Sequence, residues 1–97
     1  MDRKERYFNF IVNDMMSKTH IDDVNVTLPF GSVIGIRAIQ SYFLNAYRKI
    51  TEVFDGYGGL FYEHFTDTYG VLHDEIGIVQ DMYVEKLLNH IIKRFSW

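Results

Sequence analysis

His64 and His73 sit in the most acidic part of a 97-residue chain, beside Glu63, Asp67, Asp74 and Glu75. Imidazoles with carboxylates are the ligand set of zinc and related transition metals. The spacing does not suit that use, because there is neither an H-E-x-x-H pair on one helix face nor the regular oxygen-ligand loop of an EF-hand. Both histidines therefore read as surface or helix-terminal residues, and neither a metal nor another cofactor is expected. His90 falls on an apolar helix face and reads as a hydrogen-bonded core histidine. His20 falls in a loop.

Other chemistries are equally thin. The run Pro29-Phe30-Gly31-Ser32-Val33-Ile34-Gly35 comes after a strand-like stretch and opens a helix-like one. Phosphates bind at such junctions in nucleotide folds. It matches neither G-x-x-x-x-G-K-[ST] nor G-x-G-x-x-G, so it reads as a turn with Ser32 as helix cap. Ser17, Ser32, Ser41 and Ser96 lack a nucleophile elbow. The chain has no cysteine, which excludes disulfides, a thiol nucleophile and thiolate-held metal. An enzyme is not expected.

Charge is the strongest pattern. From residue 50 to residue 85 there is no Lys or Arg, while Glu52, Asp55, Glu63, Asp67, Asp74, Glu75, Asp81 and Glu85 are all acidic. The first 49 residues carry seven basic and five acidic side chains, and residues 86 to 97 carry three basic and no acidic ones. The net charge of −3 thus conceals a dipolar molecule. A single-sign field steers association with oppositely charged partners. Glu63, Asp67, Asp74, Glu75, Asp81 and Glu85, with Tyr57 as an aromatic anchor, are the expected partner-binding residues. Asp74, Asp81 and Glu85 are expected on one exposed helix face. Direct nucleic-acid binding is not expected from a chain with an isoelectric point near 5.7.

The elements that must position these residues can be read from periodicity. A helix from about Arg3 to Met16, capped by Asp2, places Phe8, Ile11, Val12 and Met15 on one face and Phe10 away from it. A short strand, Val24 to Leu28, alternates and ends at Pro29. Its ladder partner is either Leu60 to Phe65 or the same strand of a second copy. A second helix is expected from Val33 to Phe54, with Tyr47 in its core stripe, ended by Asp55-Gly56-Tyr57-Gly58-Gly59. Leu60 to Gly70 is either a strand through Phe65 or a short helix burying Phe61, Phe65 and Tyr69.

The last helix, about Val71 to Phe95, buries Leu72, Ile76, Val79, Tyr83, Leu87 and His90. Gly77 in its interior is either a cost or the mark of a close helix crossing. Leu88 and Ile92 point to the opposite side, so with Phe10 they are candidates for self-association.

The expected fold is one mainly α domain spanning 1–97, with three helices, a short fourth as an option, and one short strand or hairpin. No stretch is long and apolar enough to span a membrane, and no signal peptide is evident, so a cytoplasmic protein is expected. The expected function is a small non-enzymatic binding module. Its partner is a larger host protein with a basic, nucleic-acid-binding surface, in the manner of phage or mobile-element inhibitors. The alternative is a self-associating assembly subunit. A metal-dependent enzyme stands third.

Overall fold

The computed structural model describes residues 2–41, 45–56, 58–71 and 73–95, with side chains described throughout except at 55, 56, 58–62 and 73. Helix α1 spans Arg3–Ser17 and is followed by three strands, β1 His20–Ile21, β2 Asn25–Thr27 and β3 Val33–Gly35. Helices α2 Ile36–Ser41, α3 Ala46–Gly56 and α4 Gly58–Tyr69 come next. A 3-10 turn at His73–Glu75 leads into α5, Ile76–Phe95. The fold is mainly α with a small antiparallel sheet, as the periodicity implied.

Helix α1 starts where its cap directs. The Asp2 carboxylate accepts the Glu5 backbone N–H at 2.8 Å and satisfies one of the first-turn donors. Phe8, Ile11, Val12 and Met15 are its buried residues.

The sheet overturns both expected ladder partners. β2 pairs with neither Leu60–Phe65 nor a second copy; β1 and β3 flank it in the order β1-β2-β3. Ile21, Val26 and Ile34 stand in one cross-strand row, and Val26 and Ile34 are buried in the core. The expected helix Val33–Phe54 is therefore broken into β3, α2 and α3. The β-branched pair Val33-Ile34 gains a ladder and a core position opposite Val26, which outweighs helix continuation.

Two tight turns make that ladder. At the first, Asp22 Oδ1 accepts the N–H groups of Val24 at 2.7 Å and Asn25 at 2.6 Å, an Asx turn. Those two bonds hold its carboxyl below the usual carboxylate range. At the second, Gly31 N–H bonds Leu28 C=O at 2.9 Å, and Leu28 N–H bonds Ser32 C=O at 2.7 Å. Ser32 thus closes a hairpin and does not cap a helix. Gly31 sits there at φ 94°, a left-handed backbone that disfavours any side chain.

Of the two readings of Gly77, a close crossing is not seen among the described residues, since a Cβ there would meet nothing within 4 Å. The two glycines predict opposite outcomes. Gly31→Ala should cost about 1–2 kcal/mol from backbone strain alone. Gly77→Ala, exposed in the first turn of α5, should gain up to about 0.5 kcal/mol. Urea denaturation of the two variants checks both signs.

Residues 58–69 are helical, which decides the Leu60–Phe65 alternative in favour of helix. Phe65 is its buried anchor, and Phe61 lies outside the described side chains. The core is shared by all five α-helices and the inner face of the sheet. Tyr83, Phe54, Phe65, Ile11, Met15, Leu28, Ile39, Ile50, Ile76, Leu87 and Ile91 are its largest fully buried side chains.

Helices α1 and α5 run parallel. Lys4 pairs with Glu75 at 3.2 Å; further along, Lys86 reaches Asn13, and Arg94 reaches the carbonyl of Ile21 in β1. Parallel neighbours need a long connection between them, and the sheet with α2 to α4 supplies it.

Two core assignments are corrected. His90 is exposed, because the buried face of α5 turns along its length. At 100° per residue, Ile76, Val79 and Tyr83 point to one side of the mean direction, and Val84 and Ile91 to the other. His90 keeps the first direction after its cover has ended. Tyr47 is also exposed, at the margin of α3. Leu72 lies outside the described residues.

Candidate functional site

The fold sorts the eight carboxylates of the acidic stretch into unequal groups. Three have local partners. Glu52 accepts from Arg48 one turn earlier at 3.2 Å. Glu75 is three-quarters buried and pairs with Lys4. Asp81 accepts the Tyr47 hydroxyl at 2.6 Å. That hydrogen bond, then burial, then the charges of Asp81 and Glu85 push the Tyr47 phenol above its ordinary value.

Glu63 and Asp67 stand one turn apart on the exposed side of α4, and Asp74 is exposed in the 3-10 turn. Glu85 is exposed one turn beyond Asp81 on α5. Among the described residues these four make no ion pair. The Asp55 side chain and the whole of Tyr57, the expected aromatic anchor, lie outside the described residues.

The fold also shortens the charge dipole seen in the chain. Parallel packing lays the basic start of α1 against the acidic start of α5, through Lys4 and Glu75. Arg94, near the end of α5, donates to the Ile21 carbonyl at 2.7 Å and reaches Asp23 at 3.4 Å. Both sequence ends use part of their charge internally.

Shallow grooves border this surface. One of about 260 Å³ lies between α1 and α5, lined by Asn9, Asn13, Met82, Glu85, Lys86 and Asn89. A second, also about 260 Å³, runs along α3 past Asn45, Arg48, Lys49 and Glu52. Neither brings a nucleophile to a base. The side chain of His73 lies outside the described residues, so it is not placed relative to His64. His64 turns inward on α4 while Glu63 and Asp67 face solvent, and among the described residues no group of three His, Asp or Glu side chains could hold a metal.

The self-association candidates are placed unevenly. Phe10 is 64% exposed on the outer side of α1. Leu88 is half-buried and packs on the core, and Ile92 is half-buried. The apolar surface opposite the core stripe is therefore smaller than the helical wheel implied.

One cluster of titratable groups was not legible in the sequence. Between α1 and α4, Asp14 accepts from Lys18 at 2.9 Å and from the Tyr69 hydroxyl. Tyr7 donates its hydroxyl to the Tyr69 carbonyl at 2.6 Å. Lys18 also lies over the Tyr69 ring, 5.5 Å from its centroid. Lys18 and Tyr69 together hold the Asp14 carboxyl below its usual range. Burial and the bond to Asp14 push the Tyr69 phenol well up.

Beside them the His64 ring lies 6.4 Å from Phe30, 6.2 Å from Phe65 and 6.3 Å from Tyr69, centroid to centroid. Its Nε2 is buried and has no hydrogen-bond partner among the described residues. The phenol is held neutral and the imidazole is biased toward its neutral form, while Lys18 and Tyr69 both engage Asp14 through Oδ2. This arrangement braces α1 against α4. The hydrogen bonds that Tyr69 makes with Asp14 and Tyr7 span 55 and 62 positions of the chain, so no local motif could announce it.

Among the described residues no helix is long and apolar enough to cross a membrane. No protein-family model, no curated protein and no solved structure matches this chain.

Proposed function

We propose that this chain is a small non-enzymatic, cytoplasmic binding module that presents an acidic surface to a larger host protein. The partner's surface is basic and of the kind that binds nucleic acid, so the carboxylates compete by imitating phosphate charge. The chain is of the size that phage and other mobile elements use to block host enzymes. One observation carries this reading: Glu63, Asp67, Asp74 and Glu85 are exposed on a packed scaffold with no ion pair among the described residues. Exposed carboxylates held at fixed spacing act on encounter rate and orientation, the terms that electrostatic complementarity governs.

The test is charge reversal at positions that hold nothing else together. Asp81 is unsuitable, because it also anchors Tyr47. Glu63→Lys with Asp67→Lys should leave stability within about 0.5 kcal/mol of wild type. Association with a partner captured from host lysate should slow several-fold at low salt, and the difference should shrink as salt screens charges beyond about 8 Å. Wild-type rates at low salt would reduce the acidic surface to solvation.

The second reading is an assembly subunit that self-associates through α5. Half-buried Leu88 and Ile92 of α5, with the exposed Phe10 of α1, are the apolar side chains it would use.

A further inference from the structure

We propose that His64 is a proton-operated latch, and that proton uptake by its half-buried ring, whose Nε2 is buried, releases α4 from α1 and from the Phe30 turn as pH falls. The geometry is that of a polar ring used as an apolar wedge. His64 fills the space between Phe30 of the β2–β3 turn, Phe65 and Tyr69 of its own helix, and the Asp14–Lys18 edge of α1. In the imidazolium both ring nitrogens carry protons. The one at Nε2 is buried with no acceptor among the described residues.

The charged groups facing the ring do not rescue the cation. Asp14 favours it and Lys18 opposes it. Asp14 is already engaged by Lys18 and Tyr69. Glu63 and Asp67, nearest in sequence, face solvent. Burial decides the balance and holds the ring below its ordinary value.

Linkage gives the sign. An opened α4 exposes a histidine of ordinary pKa, about 6.5, whereas the closed state binds the proton more weakly. Closure is therefore complete above about pH 6.5 and weakens as pH falls through that value toward the lower one of the closed state. Asp14 and Asp22 lie in a separate window. Their carboxyls sit below the ordinary carboxylate range, so what they contribute is lost only in stronger acid.

Helix α4 is the element such a latch can release. It meets α3, and Phe65, His64 and Tyr69 are its described ties to the remainder. The α1–α5 pair and the α3–α5 contact stay intact without it. Local opening draws on elements of this kind.

Hydrogen exchange on the full chain tests the latch at pH 7.5 and 5.5, with rates corrected for the intrinsic pH dependence of exchange. Protection of α4 amides should fall several-fold between the two pH values while α5 amides keep theirs. His64→Phe, which preserves an aromatic wedge without a titrating group, should abolish the fall although the other three histidines remain. An equal fall in His64→Phe, or an equal loss across α5 in wild type, would overturn the latch. If that variant does not fold, an NMR titration of the wild-type histidines decides. A His64 midpoint below 6.5 supports the proposal, and one at or above 6.5 overturns it.

Discussion

Tyr83→Ala should remove about 3–5 kcal/mol of stability, out of a total of about 5–15 kcal/mol for a domain of this size. Tyr83 is fully buried in α5, with its ring 5.7 Å from that of Phe54 in α3. Its hydroxyl meets the Thr19 hydroxyl just after α1. The single Thr19 proton goes to the Met15 carbonyl at 2.8 Å, so Tyr83 is the donor in that pair. Burial pushes its phenol far above the ordinary value, and it stays neutral throughout the physiological range.

Truncation therefore opens a cavity where α1, α3 and α5 meet and strips Thr19 of its donor. Phe54→Ala should cost a similar amount. Tyr83→Phe keeps the ring and should cost only about 1–2 kcal/mol, for the lost hydrogen bond. Urea midpoints order the three variants. A Tyr83→Ala cost no larger than that of Tyr83→Phe would mean that this ring is not central to the core.

Two adjacent residues of α1 should behave in opposite ways. Ile11 is fully buried and Phe10 is 64% exposed. Ile11→Ala should cost about 2–5 kcal/mol, because it leaves a void in a face that packs α1 along α5. The parallel pairing sharpens the effect, since the Lys4–Glu75 contact depends on that seating. Phe10→Ala should change monomer stability by no more than about 0.5 kcal/mol.

If Phe10 joins Leu88 and Ile92 in a self-association surface, the same variant should shift a dimer toward monomer. Sedimentation at micromolar concentration, run beside urea denaturation, separates the two effects. A wild-type chain that remains monomeric on concentration would remove the assembly reading and leave the stability contrast intact.

Fold class, the core stripes of α1 and most of α5, and the turn at Pro29 to Gly31 are all legible in the amino-acid sequence. They depend on neighbours three to five positions apart, whose spacing is visible in the chain. The absence of thiol chemistry and the concentration of carboxylates between residues 50 and 85 are visible there too.

The remaining features were settled by long-range packing. Val33-Ile34-Gly35 reads as the start of a helix until β2 offers a ladder. His90 and Tyr47 read as core until the covering helix ends or turns aside. Glu75 and Asp81 look equivalent to Glu63 and Asp67 until Lys4 and Tyr47 arrive from α1 and α3. The Asp14–Lys18–Tyr69–His64 brace has no sequence signature at all. In each case burial and charge depend on which surfaces meet, and helical or strand period does not specify that. Contacts as distant in the chain as Tyr47–Asp81 and Lys4–Glu75 fixed which carboxylates remain unpaired, and long-range packing turned a histidine beside an acidic pair into a half-buried wedge.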